Sequence, residues 1–320
     1  MRLTLALTLI ASPAVADINQ ALDRHILPGH AELVTTTTAL AADAEADCSP
    51  EAVRPAFQTA YDAWIGISHI QFGPIEDQGL SLAMAFWPDP KDSTGKAIGR
   101  LTRAEDPIVD DPTEFGEVSA AAQGFTALER LLYDDQTDAD YACRLTQAVA
   151  TGLARKALAL AEGWETHASL MLDAGNNDRY QSPAEAQRAL YTALSTGLEF
   201  LHDQRLARPL GTFDRPRPRR AEARRSERSL RHIELSLIAL EDLATAMYEG
   251  DLTETRTAFA EASARVAELD DPALAGVADP AKRFKVEVLQ RAVNDIRNAV
   301  NTEIGKPLGI TAGFNALDGD

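Results

Sequence analysis

Glu129 is the side chain most out of place in this sequence. It falls four residues after Phe125 and three before Leu132, on the otherwise apolar stripe Val118, Ala122, Phe125, Glu129, Leu132. A carboxylate on a buried face needs a cation, a metal or a raised pKa. Glu129 is therefore a candidate metal ligand, or the partner of one of the chain's many arginines. Glu199 and His202 form a Glu-x-x-His pair. That spacing puts a carboxylate and an imidazole on one helix face, as in metal-binding bundles, although two solvent-facing residues near a helix end would read the same way.

A second chemistry is written in arginine. Between Arg205 and Arg231 stand ten arginines against Asp214, Glu222 and Glu227, in a chain whose net charge is −18. If this run is helical, Arg220, Arg224, Arg228 and Arg231 follow one face. They could grip carboxylates or phosphates with two-pronged geometry, or pair with acids of a neighbouring element. The overall acidity argues against a nucleic-acid partner. His-Glu-x-x-His and Gly-x-Ser-x-Gly are both absent, and His25, His30, His69, His167 and His232 show no metal-ligand spacing. Ser93-Thr94-Gly95-Lys96 lacks the upstream glycine and following hydroxyl of a phosphate loop.

The elements that must position these residues are helices. Val53, Phe57, Ala60, Trp64 and Ile67 step by four and three after Ser49-Pro50, an N-cap followed by a first-turn proline. Further stripes run Leu145, Val149, Leu153, Leu160, Trp164; Leu190, Leu194, Leu198, Leu201; Leu230, Ile233, Leu237, Leu240, Ala244, Met247; and Phe284, Val288, Ile296, Val300. Proline and glycine clusters fall between them, which predicts an all-α protein of helical bundles. At 320 residues the chain exceeds one ordinary core. Gly175-Asn176-Asn177 divides it into an N-terminal bundle over 17–175 and a C-terminal bundle over 176–320. Arg208-Pro209-Leu210-Gly211 returns as Lys306-Pro307-Leu308-Gly309, and Gly124-Phe125 before Glu129 has a loose partner in Gly197-Leu198 before Glu199. These echoes hint at a duplicated four-helix unit.

Arg2, the apolar run Leu3–Ile10 and Ala14-Val15-Ala16 have the layout of a secretory signal peptide over residues 1–16, cut after Ala16. Export leads to a compartment where disulfides persist, so the two cysteines, Cys48 and Cys143, are expected to be bridged.

Taken together, Phe72-Gly73-Pro74-Ile75-Glu76, Phe86-Trp87-Pro88-Asp89-Pro90, Gly124 through Leu132, Arg208-Pro209-Leu210-Gly211, Arg219 through Ser226 and the tail Gly313 through Asp320 resemble the imelysin-like family. The resemblance spans the mature chain. It implies two helical bundles side by side, a periplasmic location, a ligand site in the cleft between bundles, and a link to iron or another transition metal and to membrane-bound uptake components. The family's peptidase label finds no catalytic motif here. Its hallmark, Gly-x-His-x-x-Glu, is proposed to bind metal. Gly124 and Glu129 fit it, but Thr126 holds the histidine position. Threonine is a poor ligand for iron or zinc, which raises the alternative of an anionic ligand, an acidic glycan or a siderophore, held by Arg220, Arg224 and Arg228.

Overall fold

A computed structural model of the chain describes residues 17–310, so the expected leader over 1–16 and the tail from Gly313 lie outside the described residues. Nine helices of ten residues or more occur among the described residues. They are α1 (Leu27–Ala46), α2 (Pro50–Ile67), α3 (Ser93–Ala104), α4 (Gly124–Tyr133), α5 (Ala139–Leu172), α6 (Pro183–Phe200), α7 (Ser229–Ala246), α8 (Thr253–Ala267) and α9 (Pro280–Val300). No strand is present among those residues, only one isolated bridge between Thr212 and Arg215. No described helix is long and apolar enough to cross a membrane.

The four-three stripes become the buried faces. Val53, Phe57, Ala60, Trp64 and Ile67 are all buried along α2, and Leu190, Leu194 and Leu198 along α6. Starts are set by residues that satisfy first-turn amides: Asp138 accepts from Tyr141 N at 2.9 Å, and Asp279 from Ala281 N at 2.8 Å. In the first bundle α1 packs along α2 and α5, and α4 lies against α2 and α5. In the second, α8 packs on α9 and α7, with α6 beside α7 and α9. The bundles meet chiefly where α7 lies on α2. One apolar cluster runs without a break from Leu33 and Trp64 to Leu240 and Val293.

Two expectations need correction, and a third gains detail. Val118 to Leu132 is not one helix, because α4 begins at Gly124 and Ala120–Ala122 forms a separate 3₁₀ turn. Phe284 is 64% exposed, and the buried face of α9 is Val286, Leu289, Val293, Ile296 and Val300. The Pro-Leu-Gly echo sits within the second bundle: each copy follows a π-helical turn, Leu201–Leu206 or Asn301–Gly305, and ends on a glycine at positive φ (58° at Gly211, 69° at Gly309). A third π-helical turn, Leu22–Ile26, carries His25 to the bundle interface. Such turns recur at functional sites.

Cys48 and Cys143 are bridged, joining the α1–α2 turn to the start of α5 across a sequence separation of 95. Converting both to serine should lower unfolding stability by about 2–4 kcal/mol through the longer reach of the unfolded chain. Denaturant titration with circular dichroism checks this; an unchanged midpoint would remove the cross-link from the fold's stability.

Candidate binding chambers between the bundles

Between α6 and α7 the chain runs through Pro209, Gly211, Pro216 and Pro218, residues that interrupt a helix. The helix face expected for Arg220, Arg224 and Arg228 is therefore not formed, since Arg220 ends a short 3₁₀ turn, residues 222–227 are turns and α7 starts only at Ser229. Ala223 and Glu227 take left-handed backbone angles, φ 46° and 56°. What holds this costly shape is Glu129. Its Oε1 accepts from Arg225 N at 3.0 Å, Ser226 N at 2.9 Å and Ser226 Oγ at 2.8 Å. Glu129 is only 3% exposed. Burial raises its pKa, while the Ser226 and Arg225 donors and the Arg225 charge pull it back. The arginine pairing that the sequence allowed is not made: the Arg225 side chain reaches Asp134 at 2.7 Å instead.

Below this turn lies a buried polar chain. Arg205 Nε donates to Glu222 Oε2 at 2.6 Å, and its Nη1 donates to Ser236 Oγ at 2.7 Å. Arg228 turns inward to Asp62 and Gln58, and its Nε donates to His232 Nε2 at 3.2 Å. Arginine cannot accept, so the proton of a neutral His232 sits on Nδ1, 3.1 Å from Glu222 Oε2. Burial opposes the charge on Glu222, yet Arg205 and His232 hold its pKa down to about 2. Burial lowers His232 to about 4 against the pull of Glu222, with Arg228 and Arg205 pushing the same way as burial.

Two chambers open on either side. The smaller, about 290 Å³, is lined by Thr126, Glu129, Arg208, Arg219, Arg220 and Arg224 among others. Arg130 and Arg225 also line it, but they are paired with Asp92 and Asp134. Arg208, Arg219, Arg220 and Arg224 form no ion pair among the described residues; Arg208 donates to Gln204 at 3.2 Å and lies over the Trp87 ring. Burial together with neighbouring arginines lowers the pKa of Arg208 and Arg224. The Thr126 hydroxyl is buried without a partner. Arg228, the third arginine of the expected anion clamp, lies outside this chamber.

The larger chamber, about 700 Å³, lies between α2 and the Ser81–Trp87 segment on one side and α6 on the other. Glu199 lines it; His202 does not, and its Nδ1 hydrogen-bonds Asp203 at 2.5 Å. Glu129 and Glu199 thus face different chambers. Among the described residues no three His, Cys, Asp or Glu side chains converge as a metal would require. With Glu129 Oε1 already accepting three hydrogen bonds and arginines around it, the donors at the motif position do not suit a bare cation. Ser93-Thr94-Gly95-Lys96 opens α3, but the Ser93 and Thr94 amides are taken by Asp89 at 2.7 and 2.8 Å.

Gly124 explains why the motif needs glycine. Its φ is 73°, and a Cβ there would collide with the carbonyl oxygens of Ala83 and Met84. So Gly124 docks the Ser81–Met84 turn against α4, with Thr126 two residues and Glu129 five residues further on at the chamber wall. The sequence matches the Imelysin family over residues 26–300. The chain belongs to the imelysin family. No curated protein matches it. Among solved structures, an imelysin-like protein from Psychrobacter arcticum 273-4 has a TM-score of 0.78 at 18% identity, covering 95% of this chain and 100% of that one. A protein described as an iron-regulated protein A precursor, from Parabacteroides distasonis ATCC 8503, has a TM-score of 0.73 at 12% identity, covering 89% and 92%. At those identities the likeness speaks for the fold.

In this imelysin the Arg205–Glu222–His232 chain is what sequence reasoning missed. Its one visible signal was Glu222, one of three acids inside the arginine run. Nothing in the sequence pointed to His25, whose Nδ1 donates to Asp242 at 2.6 Å and whose Nε2 lies 2.9 Å from His69 Nε2.

Replacing Gly124 with alanine should destabilise the protein by roughly 1–3 kcal/mol, because left-handed backbone and backbone collision are both imposed. A denaturant midpoint within error of the parent would contradict the docking role. The buried histidines make a second prediction. The pKa of His232 and that of His30 fall from 6.5 to about 4 on folding, so the unfolded chain binds more protons in that window. Their contribution is whole above pH 6.5 and is lost as pH falls toward 4, on the order of 1 kcal/mol per pH unit per histidine. Melting temperatures measured from pH 7 to pH 4.5 should decline, and the slope should be shallower in His232→Gln; a flat profile would exclude buried neutral histidines.

Proposed function

We propose that this imelysin is a non-catalytic binding protein of the periplasm that serves iron acquisition by taking an anionic ligand, the class to which carboxylate chelators of iron belong, into the arginine chamber. The observation that carries the proposal is that Arg208, Arg219, Arg220 and Arg224 line one chamber with no carboxylate partner among the described residues, in a chain of net charge −18. Arg208 and Arg224 are partly buried and Arg219 and Arg220 are exposed at the rim; guanidinium groups left unpaired in this way have the geometry for two-pronged carboxylate recognition. The iron link is supported by the family and by the shared fold with a protein described as iron-regulated. Delivery to membrane-bound uptake components is part of the same proposal. Metal would thus enter already chelated, with arginines meeting the chelator's charge and no protein carboxylate displaced from its hydrogen bonds.

Isothermal titration of citrate and of ferric citrate, beside zinc and ferrous ions alone, tests this on the parent, on Arg220→Gln/Arg224→Gln and on Glu129→Ala. The expected result is citrate binding that weakens with ionic strength and falls at least about tenfold in the double arginine variant. Stoichiometric binding of bare metal that is lost in Glu129→Ala, with no citrate binding, would overturn it in favour of direct ligation by Glu129.

A further inference from the structure

The larger chamber is opposite in character to the arginine chamber. Its volume, about 700 Å³, lies in the range of small-molecule sites. Trp64, Phe72, Trp87 and Phe200 contribute aromatic surface to it. Its charged groups do not balance. Arg205 lies on the wall, but its charge is met by Glu222 at 2.6 Å. Glu76 is engaged by Arg179 at 3.5 Å. Asp203 is met by His202 Nδ1 at 2.5 Å and Glu185 accepts from the Gln181 amide at 2.7 Å, which leaves Glu199, with Arg188, an exposed residue, the one further cation on the wall. Glu199 has no hydrogen bond or ion pair to another described side chain. His69 adds no positive charge, because burial, with His25 next and Arg205 and His30 after it, keeps its imidazole well below the ordinary range. The wall is therefore aromatic and carries uncompensated negative charge.

From this arrangement we propose that the chamber between α2 and α6 is a second binding site, for a cationic organic molecule with an aromatic or apolar body, whose ammonium group is met by Glu199. Aromatic faces and carboxylates act together on such a ligand, the rings through their negative faces and the acids through charge-assisted hydrogen bonds. The apolar body gains by leaving water, as Leu82, 51% exposed at the chamber's edge, also would. An anion of the same shape is repelled, which separates this site from the arginine chamber by sign of charge. The proposal does not rest on the anion reading, and either can fail alone.

The test is isothermal titration of the mature protein with three probes that share one ring system: naphthylethylamine, naphthylethanol and naphthylacetate. The amine should bind at least about tenfold tighter than the acetate, with the alcohol between. Glu199→Gln should bring the amine to the affinity of the alcohol. Thr196→Trp, which fills the chamber from α6, should abolish binding of all three with helicity retained; Thr192→Trp, one turn earlier, serves if that variant does not fold. Arg220→Gln/Arg224→Gln should leave the amine unaffected. Equal affinity for amine and acetate, or amine binding that survives a folded chamber-filling variant or depends on the arginines, would overturn the assignment.

Discussion

A carboxylate removed from water must be met by donors, and two such carboxylates decide where the connection between α6 and α7 goes. Glu129 gathers the amides of Arg225 and Ser226 and the Ser226 hydroxyl. Glu222, seven residues before Ser229, is gripped by Arg205 from the other side of the connection. Without those donors each carboxylate would be buried at a cost of several kcal/mol. With them, a segment rich in proline, glycine and arginine is held in one shape, including left-handed backbone at Ala223 and Glu227. That shape forms much of the arginine chamber and contributes Glu222 to the wall of the larger one. The turn at 223–226 pushes Arg219, Arg220 and Arg224 toward one side, and the Arg205–Glu222 pair closes the other.

The helices were legible in the sequence because core packing imposes a period, and the period survives in Val53 to Ile67 and in Leu230 to Met247. It misled where two periods competed. Phe284 is the larger apolar residue, yet Val286 begins the buried stripe of α9. The arginine run misled more seriously. Arg220, Arg224 and Arg228 are spaced as on a helix, and alanine and glutamate at 223 and 227 are not residues that announce left-handed backbone. The disulfide was legible from compartment and count alone.

The site was legible in part. Glu129 could be singled out because charge on an apolar stripe is a physical contradiction, but its partners are mostly backbone amides, which every residue possesses and no sequence pattern marks. Glu199 and His202 share a helical spacing, yet the π-helical turn beginning at Leu201 changes the angle between them, and only Glu199 reaches a chamber. The Asp242–His25–His69 chain joins residues far apart in sequence, so only tertiary structure reveals it.

Trp87 and Glu222 each line both chambers. Trp87 packs edge-on against Phe200 with ring centroids 5.7 Å apart, and the Arg208 guanidinium lies over it at 6.0 Å. One indole ring is thus a partition between compartments of opposite charge. A guest that tilts this ring alters the neighbouring compartment as well, and thermodynamic linkage makes the effect mutual: each occupant changes the other's affinity by the same factor. If both chambers take ligands as proposed, Trp87 is the shared wall through which their occupancies would be linked.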